Sequence, residues 1–530
     1  MSAKDSLKNI IGELPLSAEI YWLLRRKQYG GGHFNLRALE KLLPGLREQV
    51  EPLARKAPRG RHVLIFSTLH YWIEHAALTG LALAGRGHRV TFAWLPYSNW
   101  FSPVNKFDLR KRDLYVSNLL QAAGPLLEPL PLLRARRAAA LPEALQREVD
   151  QVAIYDTQYT MQVEDVDRSS EVYRLRRARN DFAARTTYAW MKSHRPDAVL
   201  IPNGMILEFG AVYAAARALD IPAVTYEFGD QANRVWMANN SQIVRHDTGD
   251  LWAARKSQPL TADQRGWLEY LLKARQNVTP DDTFARLYPQ FASAQGGDRI
   301  RRILGLDERP IVLLPTNVLG DSLTLGRQVL AGTMTEWITG VVRYFAGRPE
   351  VQLVLRIHPG EAISRGPSIE EEIRKVTPEL PEHIHLVRPK DPVNTYDLIA
   401  ITDLALTYTT TTGLEIATRG IPVITGGETH YRGRGFTIDP ASWDETIAAL
   451  DRVLPQLGRL RLTPEQLDLA WNYAYRFFKE YPRPFPWHLA RTIDDLKTRP
   501  MEYVFSEAGL AQYADTLDQL AGAPMDWSNI

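Results

Sequence analysis

The chain contains no cysteine among its 530 residues. Disulfide bonds, thiolate metal sites and cysteine nucleophiles are therefore excluded. The sequence also lacks an apolar run of the ~20 residues that span a bilayer. Residues 1–5 (MSAKD) lack the apolar core of a signal peptide. From these absences we expect a cytoplasmic protein.

A strong net charge is absent as well. The formal charge is only +3 at pH 7, so we expect no nucleic-acid partner. The positive excess is local, because residues 1–60 contain eleven Lys or Arg and six Asp or Glu. Within them, residues 21–27 place Arg25, Arg26 and Lys27 directly after an aromatic and apolar run. This pattern can contact an anionic membrane, here the inner membrane face, but a solvated helix end is the favoured explanation.

Apolar runs of strand length alternate with helical segments in two parts of the chain. Strands are predicted at 62–67, 89–94, 198–201 and 223–227, and again at 311–314, 351–355, 384–387, 403–407 and 421–424. Strands that alternate with helices predict parallel sheets with helices on their faces. A long helix is predicted at 171–194, whereas residues 100–170 show no clear periodicity.

The predicted fold class is α/β with two Rossmann-like domains, an N-terminal helical extension and C-terminal helices. At roughly 100–200 residues per domain, the length alone predicts at least two domains. The predicted boundaries are 1–58 for the helical extension, 59–240 for the first Rossmann-like domain, 241–300 for a helical linker, 301–460 for the second Rossmann-like domain, and 461–530 for the C-terminal helices and tail.

Two predicted strand ends in the second domain carry polar residues. Arg356 and His358 follow the run 351–355 and are expected to supply positive charge to a ligand site, and a threonine cluster follows the run 403–407. Ligands bind outside the carboxyl ends of strands in open parallel sheets, and the N–H groups at a helix start accept phosphate. The expected donor-binding residues are Arg356, His358, Thr410, Thr411, Thr412 and Glu415, with Glu415 placed to accept hydrogen bonds from ribose hydroxyls. These residues predict half of a nucleotide-sugar site.

Each of these residues also has a purely structural explanation. A histidine after a strand is commonly packed, and a threonine run before a helix is commonly an N-cap. Glu415 can equally support the cap or face solvent. The order and the common strand-end location of the residues favour the ligand site over these alternatives.

Glu227 is the first choice for the catalytic carboxylate in the first domain. It ends the predicted strand 223–227, and Gly229 supplies a turn that would aim it into a cleft. The acceptor hydroxyl must lose its proton or a covalent intermediate must form, and either needs a carboxylate or a histidine. Asp230 is the nearby alternative, and His70 lies in the loop expected to face the acceptor. A structural pairing of Glu227 with Arg234 remains the alternative.

No Asp-x-Asp pair follows a strand, so we expect neither a metal ion nor a cofactor beyond the nucleotide-sugar co-substrate. The segment 164–167 (EDVD) is interpreted as loop charge. The loop 426–435 contains four glycines, which allow backbone N–H groups to approach a ligand closely. His430 and Tyr431 in this loop are expected to face the donor sugar or base.

Residues 422–437 (PVITGGETHYRGRGFT) resemble a pattern in bacterial capsule polysaccharide biosynthesis proteins, a group that includes Kdo transferases. Residues 313–322 (LLPTNVLGDS) resemble the first strand and loop of that family's nucleotide domain, which implies donor-binding roles for Asn317 and Ser322. Residues 226–229 (YEFG) resemble the family's Glu-x-Gly element, although Phe228 stands where related Kdo transferases carry Asp. The resemblance covers about 200–440 well and 60–100 loosely, and implies the glycosyltransferase type B fold.

The sequence therefore predicts a metal-independent glycosyltransferase that moves a sugar from a nucleotide-activated donor, with CMP as one candidate nucleotide. The expected acceptor is a surface or capsular polysaccharide, a similar glycan or a lipid-linked glycan. Two alternatives remain open. One is a nucleotide-sugar 2-epimerase or a polyol-phosphate transferase on the same fold, and the other is a non-catalytic nucleotide-binding scaffold.

Overall fold

The computed structural model describes residues 3–25, 34–277, 284 and 294–528. The basic pair Arg26 and Lys27, noted in the sequence, lies outside these residues, as do a glycine run at 30–32 and an acidic pair at 281–282.

The strands form two sheets. In chain order they are β1 (His62–Thr68), β2 (Arg89–Leu95), β3 (Leu127–Pro131), β4 (Ala198–Pro202), β5 (Ala223–Glu227), β6 (Arg234–Asn239), β7 (Ile311–Pro315), β8 (Gln352–Arg356), β9 (Ile384–Val387), β10 (Leu404–Thr407), β11 (Val423–Thr425) and β12 (Arg483–Pro484).

Helices cover both sheets and form the N- and C-terminal segments. In chain order they are α1 (Ala3–Glu13), α2 (Ser17–Arg25), α3 (Arg37–Lys56), α4 (His70–Gly85), α5 (Lys106–Gln121), α6 (Glu143–Met161), α7 (Glu171–His194), α8 (Leu207–Arg217), α9 (Gly249–Arg255), α10 (Ala262–Asn277), α11 (Gly297–Leu304), α12 (Met334–Ala346), α13 (Ile369–Val376), α14 (Thr395–Ile399), α15 (Thr412–Ala417), α16 (Trp443–Val453), α17 (Pro464–Tyr475), α18 (Thr492–Thr498), α19 (Met501–Val504) and α20 (Glu507–Leu520).

Both sheets have the Rossmann strand order. The first sheet runs β12-β6-β5-β4-β1-β2-β3, in which β1 to β5 are parallel, β6 is antiparallel to β5, and β12 is antiparallel to β6. The second runs β11-β10-β7-β8-β9 and is parallel throughout. In each sheet the order reverses beside the first strand, at β1/β4 and at β7/β10, which is where such sheets bind ligands. The predicted fold class, α/β with two Rossmann-like domains, is confirmed.

Most strands were predictable because their side chains are buried on both faces and form continuous apolar runs. The predicted helix 171–194 coincides with α7. The segment 100–170, which showed no periodicity, folds into α5, β3 and α6. Pro129 and Pro131 obscure β3, and they are tolerated there because β3 lies at the edge of the sheet.

The chain returns to the first domain after the second is complete. Strand β12 pairs with β6, and the buried side chains of Trp487, Tyr513 and Leu517 belong to the same apolar core as β1 and β2. A π-helical turn, Arg476–Glu480, follows α17 just before this return. The C-terminal segment therefore contributes to the packing of the first domain.

A buried ionic group supports the loop between β4 and α8. The Arg176 guanidinium donates to the carboxylates of Asp156 (2.7 Å) and Glu208 (2.9 Å), and all three side chains are at most 2 % exposed. The other Asp156 oxygen accepts the backbone N–H of Leu207 at 3.0 Å. Leu207 has a positive φ of 54°, an unfavourable conformation for a branched residue. The ionic group therefore helps to fix a strained loop that reaches the domain cleft.

Removal of the Arg176 guanidinium should destabilise the folded protein. In Arg176→Met two buried carboxylates lose their counter-charge, and we expect the free energy of unfolding to fall by about 3–5 kcal/mol. In the matched control, Arg147→Ala, the broken pair with Glu143 is largely exposed, so the loss should stay below about 1 kcal/mol. Urea unfolding of the two variants measures the difference; equal losses would show that the buried group is not stabilising.

Candidate functional site

A cavity of about 580 Å³ lies between the two domains, at the carboxyl ends of their parallel strands. The lining includes nine side chains that were predicted from the sequence: Glu227, Asp230, Asn317, Ser322, His358, Thr410, Thr411, Thr412 and Glu415. The first domain supplies the two carboxylates Glu227 and Asp230, and the second domain supplies the rest. The fold thus brings together residues that are up to 188 positions apart, from Glu227 to Glu415.

Four other predicted residues do not line this cavity. The Arg356 guanidinium is buried and donates to the carbonyl of Arg388 at 2.7 Å, in the loop after β9. Burial lowers the pKa of Arg356 to about 10. The His70 side chain, at the first residue of α4, packs near the rings of Phe34 and Tyr71. The positive charge expected from Arg356 is therefore directed away from the cavity.

His430 and Tyr431 lie behind the cavity wall. The His430 ring stacks on Phe477 at 3.7 Å, and its Nδ1 lies 3.0 Å from the Tyr473 hydroxyl. Burial lowers the pKa of His430 well below its ordinary value, so the ring is neutral at pH 7. The Tyr431 hydroxyl donates to the carbonyl of Thr410 at 2.8 Å. The Tyr431 hydroxyl thus holds the backbone of residues 408–412, the threonine-rich loop that lines the cavity.

The threonine loop, residues 408–412, connects β10 to α15. No side-chain hydrogen bond from Thr411 caps the helix, so the N-cap explanation does not account for this hydroxyl. The Thr410 hydroxyl oxygen accepts the N–H of Thr412 at 3.3 Å, and Asn317 accepts the N–H of Thr409 at 3.3 Å. The loop is thereby tied to the end of β7. Hydroxyls on this loop line the cavity from the second domain.

His358 faces the cavity as a neutral donor. Burial, with a smaller contribution from Arg356, lowers its pKa to about 4. Its Nδ1 accepts the N–H of Gly360 at 3.0 Å, so in the neutral ring the proton is assigned to Nε2. The backbone N–H of His358 donates to the Thr316 hydroxyl at 3.1 Å and anchors the residue. His358 therefore offers a hydrogen bond to a ligand, whereas the sequence suggested a positive charge.

Glu227 ends β5 on the opposite wall. Its Oε2 accepts the side-chain N–H of Asn203 at 3.2 Å, and its Oε1 accepts the N–H of Phe228 at 3.0 Å. Arg234, the structural partner considered for Glu227, donates to the carbonyls of Lys479 and Pro482. Asn203 belongs to the strained loop after β4, so that loop positions the carboxylate.

Arg275 is a cavity residue that the sequence did not reveal. Its guanidinium pairs with Asp230 of the first domain and with Glu415 of the second, the latter at 3.1 Å. The Tyr396 hydroxyl donates to the other oxygen of Glu415 at 2.5 Å. Burial opposes the charge on Arg275, but the two carboxylates outweigh it and raise its pKa. Glu415 is thus neither a cap nor a solvated charge; it forms one end of a charged bridge across the cleft.

No sequence signal marks Arg275, because an arginine near the end of a helix is ordinary. Asp321 is a second cavity residue that was not predicted, although its neighbour Ser322 was. Its carboxylate accepts the N–H of Leu323 at 2.8 Å, and burial raises its pKa. The cavity therefore holds carboxylates from both domains.

The described residues contain neither a metal-binding cluster nor a helix that could span a membrane. Among residues 3–25, 34–277, 284 and 294–528, no group of three His, Asp or Glu side chains has the arrangement of a metal site. In the same ranges, no helix has both the length and the hydropathy to cross a membrane.

Glu164, from the segment interpreted as loop charge, accepts the N–H groups of Met334 (2.7 Å) and Thr335 (2.9 Å) at the start of α12.

Comparison with models of known protein families and with curated proteins gives no match. Among solved structures, this chain is similar to the KpsC beta Kdo 2,4 transferase of Thermosulfurimonas dismutans, with 16% identity over 62% of this chain and 87% of that chain and a TM-score of 0.36. The chain is also similar to the beta Kdo 2,7 transferase of the same KpsC, with 14% identity over 59% of this chain and 88% of that chain and a TM-score of 0.34. A third similar structure is the UDP-GlcNAc 2-epimerase of Neisseria meningitidis, with 12% identity over 79% of this chain and 99% of that chain and a TM-score of 0.24. Similarity this low does not assign an activity.

The packing of Gly413 against Tyr431 is testable. A Cβ at position 413 would lie 2.2 Å from the Tyr431 hydroxyl oxygen, so Gly413→Ala should lower the free energy of unfolding by about 1–3 kcal/mol through overpacking. Tyr431→Phe removes that oxygen, and the double variant should lose less than the sum of the single losses. Gly347→Ala, where a Cβ meets nothing within 4 Å, is the control. If urea unfolding shows that the double variant loses the sum of the two single losses in the free energy of unfolding, the contact is contradicted.

Proposed function

We propose that the protein is a glycosyltransferase of the capsule polysaccharide biosynthesis type, which moves a sugar from a nucleotide-activated donor to a glycan acceptor. One observation carries the proposal: Glu227 from the first domain and the threonine loop with His358 from the second line the same cavity. Sugar transfer between two substrates needs such an arrangement, because the acceptor base and the leaving-group site must face each other.

The second domain is proposed to bind the donor. The hydroxyls of Thr410 and Thr412 and the Nε2–H of His358 donate to the phosphate oxygens of the nucleotide. As the bond from the anomeric carbon to the phosphate oxygen breaks, negative charge grows on that oxygen, and donors fixed in advance stabilise it. Asn317 and Ser322 complete this half from the loop after β7, which also lines the cavity.

The first domain is proposed to bind the acceptor. Glu227 takes the proton of the acceptor hydroxyl while that oxygen attacks the anomeric carbon. Asn203 holds the carboxylate in place, as its 3.2 Å hydrogen bond supports. The rings of Tyr71, Trp72 and Trp100 line the same side of the cavity, and aromatic faces suit the apolar faces of sugar rings. A lipid-linked acceptor would place the enzyme at a membrane surface, where we propose that the N-terminal helices make contact.

Two variants separate the two halves of the site. Glu227→Gln keeps the size of the side chain and one of its two acceptor oxygens but removes the base, so we expect sugar transfer to fall at least roughly hundred-fold while nucleotide binding persists. His358→Ala removes a phosphate donor, so we expect nucleotide binding itself to weaken. Transfer is measured with radiolabelled CMP-, UDP- and GDP-sugars and a capsular oligosaccharide acceptor, and binding by calorimetry.

The control for these variants is Arg356→Gln, whose side chain lies outside the cavity lining and should affect binding less than His358→Ala. If both Glu227→Gln and His358→Ala fold and retain full transfer, the proposed site is wrong. Epimerisation of a nucleotide-sugar without any acceptor would instead assign the 2-epimerase activity.

A further inference from the structure

A second cavity, of about 330 Å³, lies at the amino end of β5. Glu227, at the carboxyl end of the same strand, lines the cleft, and at ~3.3 Å per residue the two ends of β5 are ~13 Å apart. The two cavities share no lining residue. This second cavity, here called the back cavity, therefore lies outside the proposed transfer site.

The back cavity opens at an incomplete edge of the first sheet. Among the described strands, only β12 pairs with the outer edge of β6, and it does so at Arg234 and Val235 alone. Residues 237–239 of β6 line the cavity. The Asn239 side-chain N–H donates to the carbonyl of Ala523 at 2.9 Å and connects β6 to the C-terminal segment. Its Oδ1, which is buried, accepts no hydrogen bond from the residues that the structure describes.

Tyr481 forms an aromatic wall of the back cavity. Its side chain is 1% exposed, and its ring is stacked between those of Phe477 at 6.1 Å and Trp527 at 5.9 Å. Phe477 in turn lines the cleft, so a layer of aromatic rings separates the two cavities. The Tyr481 hydroxyl makes no hydrogen bond within the described part of the chain. Because a buried phenol usually has a partner, this hydroxyl points to a ligand in the cavity.

Two carboxylates give the back cavity its charge. Asp247 and Asp250 line it, and none of the described lining residues is a Lys, Arg or His. One oxygen of Asp247 accepts the N–H of Gly249 at 3.2 Å. The other oxygen of Asp247 and both oxygens of Asp250 accept no hydrogen bond from the described residues. The lining therefore carries two negative charges and no positive one.

The buried phenol and one of these carboxylates are close together. Burial, with a smaller contribution from the Asp247 carboxylate, raises the pKa of Tyr481, so the phenol keeps its proton at pH 7. Asp250 has a structural role as well, since it lies in the first turn of α9, where the helix dipole favours an acid. That role does not explain why a second carboxylate and an unpartnered phenol line the same cavity.

We propose that the back cavity binds a small aliphatic amine in its protonated form. The ammonium group donates hydrogen bonds to the carboxylates of Asp247 and Asp250 and to the Oδ1 of Asn239. The Tyr481 oxygen is a further acceptor, and the rings of Tyr481 and Trp527 offer π faces that attract a cation. This site is independent of the proposed sugar transfer, because it uses no residue of the cleft.

A metal ion fits the back cavity less well. Calcium and magnesium ions take six or more oxygen ligands, whereas this lining offers two carboxylates beside an aromatic wall. Within the described ranges no group of three His, Asp or Glu side chains has the arrangement of a metal site. A phosphate or an acidic sugar would be repelled by the two carboxylates, and a neutral polyol would leave their charge uncompensated.

Ligand-observed NMR titration of the full chain at low salt and pH 7 tests the proposal, with 1,4-diaminobutane as the probe. We expect saturable binding of the diamine and much weaker binding of butane-1,4-diol, which has the same carbon chain and no charge. Asp247→Asn with Asp250→Asn should weaken diamine binding roughly ten-fold. Asp444→Asn is the matched control, because Asp444 is an exposed acid in the first turn of another helix, α16, and it should bind like the wild type.

Tyr481→Phe separates a ligand-binding role of the hydroxyl from a structural one. The hydroxyl has no partner among the described residues, so its removal should not lower the thermal midpoint of the ligand-free protein. Diamine binding should nevertheless weaken roughly three-fold, because one acceptor is lost. A lowered midpoint with unchanged diamine binding would show a structural role and would contradict the proposal.

The cleft contains carboxylates as well, so Glu227→Gln is titrated with the same probe and should bind the diamine like the wild type. Loss of binding in this variant, with binding unchanged in the double asparagine variant, would assign the diamine to the cleft and overturn the proposal. The proposal is also overturned if the folded wild type binds the diamine no more tightly than the diol. Neither result would bear on sugar transfer, which is measured separately.

Discussion

The charged bridge through Arg275 spans the cleft between the two domains. Its guanidinium contacts Asp230 on the turn after β5 and Glu415 on α15, so one side chain connects both walls. Glu227 lies three residues from Asp230, and Thr412 lies three residues from Glu415, so the bridge ends beside both functional elements. Interdomain contacts without such a link are expected to permit relative motion of the domains. Together with the contact of Glu164 to the start of α12, the bridge helps to hold the two walls of the cavity in which the proposed chemistry occurs.

The two walls are built by the same topological rule. Each sheet reverses its strand order beside its first strand, and the loops after β4 and β10 reach the cleft at those points. Asn203 on the first loop holds Glu227, and Asn317 after β7 holds the backbone of the threonine loop. In each domain, therefore, an asparagine side chain from one loop holds a functional residue of another by a hydrogen bond. In the first domain a buried ionic group adds to that support.

Local patterns predicted the strands and the threonine loop because a buried parallel strand and the turn that follows it are encoded by neighbouring residues. They could not predict Arg275, whose partners lie 45 and 140 positions away, nor the edge strand β3 with its prolines. The sequence placed Arg356 and His358 together as a source of charge. In the fold Arg356 turns to the loop after β9, and burial makes His358 neutral. Pairing and burial are tertiary properties, and they decide the charge of a site.

Calorimetric titration with CMP, UDP, GDP and CDP tests the central claim, that the cleft between the domains binds a nucleotide. The account predicts that at least one of the four binds at one site per chain, and that the binding heat disappears when Thr410 and Thr412 are both replaced by valine. Valine keeps the shape of threonine and removes the two hydroxyls, including the Thr410 oxygen that accepts the N–H of Thr412. If the folded wild-type protein binds none of the four, or if the double valine variant binds as tightly as the wild type, the account is contradicted.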